Sequence, residues 1–171
     1  MCKVVFCQNS GEREALKIEV RDDNIYNVAM EKKLKVRELK PVSGNKVGRI
    51  KKNGIITEPH EDSTFVFLAQ FGFDIELIKP TNIRKAKNPD ILISGVIWEI
   101  KSPESNNKKT LKKRMHIASL QSDRIIFDLR RIKEKYCAEM EKNVLQKFKE
   151  KTTFKRLLLI THEGRLLDIT K

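Results

Sequence analysis

Apolar positions fall into two rhythms along the chain, one every second residue or in short blocks, the other every third or fourth. The first predicts strands over 3–7 and 15–20, separated by the turn signal Asn9-Ser10-Gly11. The stretch 31–52 is dense in lysine and arginine and holds Pro41, Gly44 and Gly48, so it reads as a loop or linker. A helix is predicted over 60–70, with Asp62 or Ser63 as its cap and Gly72 as its stop. The alternation of 73–78 predicts a strand ended by Pro80, followed by a basic loop at 81–88. Two apolar runs, 90–94 and 96–101, flank Ser94-Gly95 and read as a hairpin. Residues 107–121 form a basic amphipathic helix with Leu111, Met115 and Ala118 on one stripe. A strand over 124–129 follows. Ile132, Tyr136, Met140, Val144 and Phe148 recur every fourth residue and predict a long helix over 131–150. A hairpin of 156–160 and 165–169, turning at His162-Glu163-Gly164, closes the chain.

The order from residue 60 is α-β-β-β-α-β, then α-β-β, a mixed α/β domain with no internal repeat. Two parts are expected: a basic segment over 1–56, whose two strands suggest a small β subdomain of unassigned role, and a main domain over 57–171. Composition narrows the class. The chain has 171 residues, enough for one domain, and 39% hydrophobic residues exclude low-complexity and collagen-like classes. No run approaches the ~20 apolar residues of a membrane span, and the N-terminus lacks a signal-peptide pattern. Three cysteines, Cys2, Cys7 and Cys137, suggest neither a disulfide framework nor a zinc site and point to a reducing compartment. The net charge of +13 implies a polyanionic partner. At 6% aromatic residues, no broad base-stacking platform is evident.

The hairpin brings chemistry together. A two-residue turn at Ser94–Gly95 sets Ile93 against Val96, Leu92 against Ile97, Ile91 against Trp98 and Asp90 against Glu99. Opposed Cβ atoms lie about 4.5–5.5 Å apart. Lys101 projects from the face of Glu99, and Trp98 faces away into the core. Opposed carboxylates repel, and a hard divalent cation cancels that repulsion. Such an ion also activates water and stabilises a pentavalent phosphorane. Mg²⁺ is the first expectation, with Mn²⁺ or Zn²⁺ as alternatives, and Asp90 and Glu99 as ligands. Lys101 would hold the attacking water or the phosphate charge. Glu61 shares the inward stripe of Phe65, Leu68 and Ala69, where a carboxylate is costly unless paired or metal-bound. Glu58, before Pro59, is the weaker acid, and His60 is read as a surface residue in reach of substrate.

Glu61, Pro89-Asp90 and Glu99-Ile100-Lys101, on that element order, resemble the PD-(D/E)xK nuclease superfamily. The resemblance implies a restriction-endonuclease-like core with a central mixed sheet flanked by helices, followed by a C-terminal helix and hairpin. A closer likeness over roughly 60–131 rests on Glu99-Ile100-Lys101-Ser102-Pro103 and on Gln121-Ser122-Asp123 before a strand ending Asp128-Leu129-Arg130-Arg131. It is similar to the tRNA-nuclease domain at the C-terminus of contact-dependent growth-inhibition toxins. That likeness implies a metal-dependent ribonuclease cleaving tRNA in the bacterial cytoplasm, delivered from a secreted or cell-surface protein. It makes Glu61, Asp90, Glu99 and Lys101 catalytic, and gives Gln121 either an active-site role or that of a polar helix end. Residues 1–56 match nothing in that family. With no large delivery region upstream, the chain reads as an excised domain, a stand-alone nuclease or a related element.

Basic residues flank these groups. Arg84, Lys85, Lys87, Lys108, Lys112 and Lys113, with Gln121, are the expected nucleic-acid contacts. Such contacts hold phosphates without reading sequence. An acidic immunity protein would suit the +13 surface; no membrane partner is expected. Two rivals remain: a DNA endonuclease of the same fold, and a non-catalytic basic RNA-binding module.

Overall fold

The computed structural model describes residues 34–81 and 88–171. The predicted strands at 3–7 and 15–20, with Cys2 and Cys7, lie outside the described residues. Eleven elements follow in order: β1 (Lys35–Leu39), β2 (Ile50–Lys51), α1 (Pro59–Gln70), β3 (Ile75–Leu77), β4 (Ile91–Ile93), β5 (Val96–Lys101), α2 (Lys108–Gln121), β6 (Arg124–Asp128), α3 (Cys137–Glu150), β7 (Arg156–Ile160) and β8 (Leu166–Thr170). The strands make one eight-stranded mixed sheet in the order β1-β8-β7-β6-β5-β4-β3-β2. β5, β6 and β7 run parallel, and the β3–β4, β4–β5, β7–β8 and β1–β8 pairs are antiparallel. From α1 onward the element order is the one the hydrophobic pattern predicts.

The central strands read as continuous apolar runs because both faces are covered. Ile125, Phe127, Leu157 and Leu159 pack with Leu111, Met115, Val144 and Phe148 of α2 and α3. The alternate residues Ile126, Leu158 and Ile160 pack with Phe65 and Leu68 of α1 on the opposite face. Trp98, 2% exposed, lies on the α1 side, with the Arg156 guanidinium 5.5 Å from its ring centre. The stripe Leu111, Met115, Ala118 of α2 is buried as predicted. Among the described residues no helix is long and apolar enough to cross a membrane.

Three local expectations are corrected. The described part of the stretch 31–52, from residue 34, is not a free loop, since it supplies both outermost strands of the sheet. Five residues of β1 ladder onto β8, and β2 runs beside β3. The chain is seated there by Val42 N–H on Gln70 O and Gly48 N–H on Ala69 O. Only a residue without Cβ fits at 48, because a Cβ would meet the Phe73 carbonyl oxygen at 2.0 Å. The α1 cap is Glu58, not Asp62 or Ser63: its extended backbone precedes Pro59 at the first helical position, and its N–H donates to Glu61 Oε2 at 3.0 Å. Helix α3 begins at Cys137 rather than 131. Leu129 N–H stays on Ile160 O, and Arg130 N–H is held by Asp128 Oδ1, so no helical ladder starts there. A 3-10 turn over Glu134–Tyr136 leads in.

Candidate metal and phosphate site

Ser94 and Gly95 have φ of 52° and 75°, the left-handed pair of a tight hairpin turn. The turn fixes the predicted register: Ile93 opposite Val96, Leu92 opposite Ile97, Ile91 opposite Trp98. The ladder stops one pair short of Asp90 and Glu99. Asp90 gives its carbonyl to Ile78 N–H at 3.1 Å, and its Oδ2 accepts Ile100 N–H at 2.6 Å. The carboxylate thus takes the place of a main-chain partner at the strand end. Glu99 is 1% exposed, and Lys101, two residues on along the same face, ion-pairs with its Oε1. Glu99 Oε2 is buried and receives no donor from the described residues. The Asp90 carboxyl lies beside it, so one proton shared by the two acids would supply the missing hydrogen bond.

Electrostatics follow from that placement. Burial, and then the neighbouring Asp90 charge, push the Glu99 carboxyl up to about 7, with Lys101 opposing. Burial also raises Asp90 above the usual carboxylate range. The Ile100 N–H and Lys101 hold it back, and the Glu61 charge adds to the rise. Two adjacent acids that resist ionising together are a mark of functional sites.

Glu61 reaches the same place from α1. It shares a cleft of about 200 Å³ with His60, Asp90, Lys101, Ser102 and Arg114. One of its oxygens is already engaged as the helix-capping acceptor. A wider depression of about 520 Å³ around Arg49, Glu76 and Gly95 lies at the far sheet edge. Its charged groups form exposed ion pairs such as Lys51–Glu76, which gives it little chemistry. The smaller cleft is the candidate site.

The predicted nucleic-acid contacts scatter. Arg84, Lys85 and Lys87 lie outside the described residues. Lys108 and Lys112 line a groove between α2 and α3 with Lys147, away from the carboxylates, and Lys108 pairs with Glu139 at 2.9 Å. Lys113 is exposed on α2. Gln121 ends α2 and accepts Asn88 N–H at 3.0 Å, which steadies the backbone two residues before Asp90. Arg114, one of the basic residues that follow the Glu99-Ile100-Lys101 strand in sequence, lines the cleft, unlike Lys108 and Lys112. The signal was present: Arg114 stands three residues after Leu111 and four before Ala118, on the inward stripe of α2. Ser102 and Thr64 also line the cleft. Thr64 is fully buried, bonded to Asp128 Oδ2 at 2.7 Å.

Among the described residues no three His, Cys, Asp or Glu side chains form a ready-made metal cage. The donor set is a pair, Asp90 and Glu99, with one orphaned oxygen. Mg²⁺ takes one or two carboxylates and keeps its waters, so a pair fits it. The raised acid affinities fit too, because a cation displaces the proton that the pair would otherwise retain.

Comparison with known proteins adds the following. No curated protein sequence matches this one. A solved structure, the CdiA-CT/CdiI toxin and immunity complex from Burkholderia pseudomallei, shares the fold at a TM-score of 0.54 and 17% sequence identity. That likeness covers 72% of this chain and 100% of the other. In sequence, the stretch 87–166, just under half of the chain, carries Asp90, Glu99, Lys101 and Arg114, and it matches the family described as contact-dependent growth inhibition CdiA C-terminal domain.

Proposed function

We propose that the protein is a metal-dependent nuclease of the PD-(D/E)xK type that cleaves tRNA, acting as the toxin domain of a contact-dependent growth-inhibition system. The observation that carries this reading is the meeting of Asp90, Glu99 and Lys101 at the open end of one hairpin, with Glu99 held near 7. The family match over 87–166 supports the toxin role.

Asp90 and Glu99 would hold a divalent cation, Mg²⁺ by preference. When bound, the cation supplies positive charge for the phosphorane and the leaving oxygen. Lys101, kept in place by Glu99, orients the attacking water or a phosphate oxygen with its remaining donors. Glu61 faces the same cleft and adds negative charge beside Asp90, which raises the cost of leaving the site without a cation. The Asp90 carboxylate is itself fixed by Ile100 N–H, so its position needs little reorganisation during reaction.

A toxin of this kind requires neutralisation in the cell that makes it. The neighbour from Burkholderia pseudomallei is a toxin and immunity complex. A cognate immunity protein with an acidic face is the matching partner for a chain of +13, since opposite charge speeds capture. Delivery from a cell-surface parent protein into the cytoplasm of a neighbouring bacterium follows from the same family likeness.

The deciding experiment treats total RNA, and plasmid DNA in parallel, with the protein and Mg²⁺ and sequences the resulting ends. The expected result is discrete tRNA ends that vanish with the Asp90→Ala, Glu99→Ala or Lys101→Ala variant and with EDTA. Cleavage of plasmid alone would move the substrate to DNA. RNA binding that is equal in EDTA and Mg²⁺, with no cleavage, would make the chain a binding module.

A further inference from the structure

The carboxylates account for only part of the cleft. Lys101, Ser102 and Arg114 line it as well. Lys101 is already neutralised in part by Glu99. Arg114 lines the cleft, is half-buried and forms no ion pair or side-chain hydrogen bond among the described residues, so none of its five guanidinium donors has a partner there. Ser102 Oγ is buried with no hydrogen-bond partner among the described residues. A buried hydroxyl left unmet is costly, and a ligand acceptor would remove that cost. Both gaps ask for the same thing: an anion with several acceptor oxygens.

We propose that Arg114 and Ser102 form the seat for a non-bridging oxygen of the substrate phosphate, with Arg114 as a further catalytic residue. This deepens the nuclease reading and rests on it for its catalytic part. The α2 stripe places Arg114 beside Met115, which is fully buried, so the helix cannot rotate the guanidinium out of the cleft without losing that packing. Ser102 is held from behind, because its carbonyl accepts Arg131 NH1 at 3.4 Å, and Arg131 also pairs with Glu104. A phosphate seated here would share the cleft with Lys101 and with Asp90, one of the two acids that would hold the cation. Charge that builds on the phosphate oxygens during attack is then met by Arg114, the one cation lining the cleft, among the described residues, that no carboxylate has claimed. A guanidinium matches two phosphate oxygens at once, which an ammonium does not.

The test titrates inorganic phosphate, without divalent metal, into the full chain by calorimetry, and measures tRNA turnover with Mg²⁺ separately. Arg114→Ala is expected to weaken phosphate binding about tenfold or more, Arg114→Lys less, and Ser102→Ala a few-fold, with thermal midpoints near the wild type. In turnover Arg114→Ala is expected to lower kcat more than it raises KM, because the charge it meets grows in the transition state. Phosphate affinity unchanged in folded Arg114→Ala overturns the seat, as does a wild type that binds no phosphate at millimolar concentration. Should Arg114→Ala fail to fold, Arg114→Lys and Ser102→Ala carry the same test. Phosphate binding that depends on Arg114, in a protein that cleaves neither RNA nor DNA, overturns the nuclease reading and leaves the anion seat standing. Turnover by Arg114→Ala equal to wild type overturns the catalytic role while the nuclease reading stands.

Discussion

Asp168 on β8 and Glu99 on β5 are both buried acids of the same sheet, and the protein treats them oppositely. Asp168, 7% exposed, has both oxygens filled: Arg156 donates to Oδ1 at 2.7 Å and Oδ2 at 2.9 Å, and Arg37 adds a bond to Oδ2 at 3.0 Å. That end of the sheet spends its charges on joining β1, β7 and β8. Glu99 at 1% exposure has one lysine on one oxygen, no donor on the other among the described residues, and a second acid alongside. Such an arrangement makes a poor tie and a good receptor. Burial alone therefore does not mark a functional acid; burial with an unmet oxygen does.

The sharpest way to break this contrast is to neutralise one acid at each end. Asp90→Asn keeps an acceptor for Ile100 N–H, so the fold is expected to stand while cleavage falls by about 10²-fold or more. Asp168→Ala is expected to do the reverse: turnover at low temperature near wild type, with stability to urea down by about 2–4 kcal/mol, because Arg156 loses its partner. Equal loss of activity in both variants would erase the distinction between tie and receptor.

A gentler probe is pH. Glu99 titrates near 7 when folded, against 4.5 as its ordinary value. A raised carboxyl favours the folded state fully below its unfolded value, and that support is lost as pH rises through the folded value. In metal-free buffer the wild type is thus expected to lose stability between about pH 4.5 and just above 7. Glu99→Gln is expected to flatten that slope and to be the more stable protein at pH 8, by about 1–2 kcal/mol in urea titrations. Mg²⁺ should restore part of the wild type's loss and leave Glu99→Gln unmoved. A Glu99→Gln protein less stable than wild type at pH 8 would contradict the raised acid.

The smallest effect concerns the lysines of the α2–α3 groove. If they touch substrate phosphates, Lys112→Ala is expected to reduce the slope of log affinity for tRNA against log salt by about one, without changing the metal-free pH profile. An unchanged slope would make the groove a solvated surface.

The sequence carried the site further than it carried the sheet. The hairpin register was legible because two turn residues with no alternative geometry lock every pair that follows. Glu61 was legible because an acid on an inward helix stripe is anomalous, and Arg114 carried the same anomaly on α2. The edge strands β1 and β2 were not legible. β2 has only two residues, β1 carries three charged side chains in five, and each exists because a neighbouring strand offers an open ladder, which no local pattern encodes. The separation of Lys108 and Lys112 from the carboxylates likewise depends on how α2 packs against α3. The role of Gln121 depends on the loop that reaches it, since its partner is the backbone of Asn88.

The Ser94–Gly95 turn never touches the cleft, yet it acts as the gauge for it. Side chains along a strand change sides at every residue. One amino acid added at that tip would slide β4 against β5 by a single step and carry Asp90 to the wrong side of Glu99, about 13 Å from where the insertion was made. A solvent-exposed turn of two small residues thereby sets the alignment of two acids at the opposite end of the hairpin.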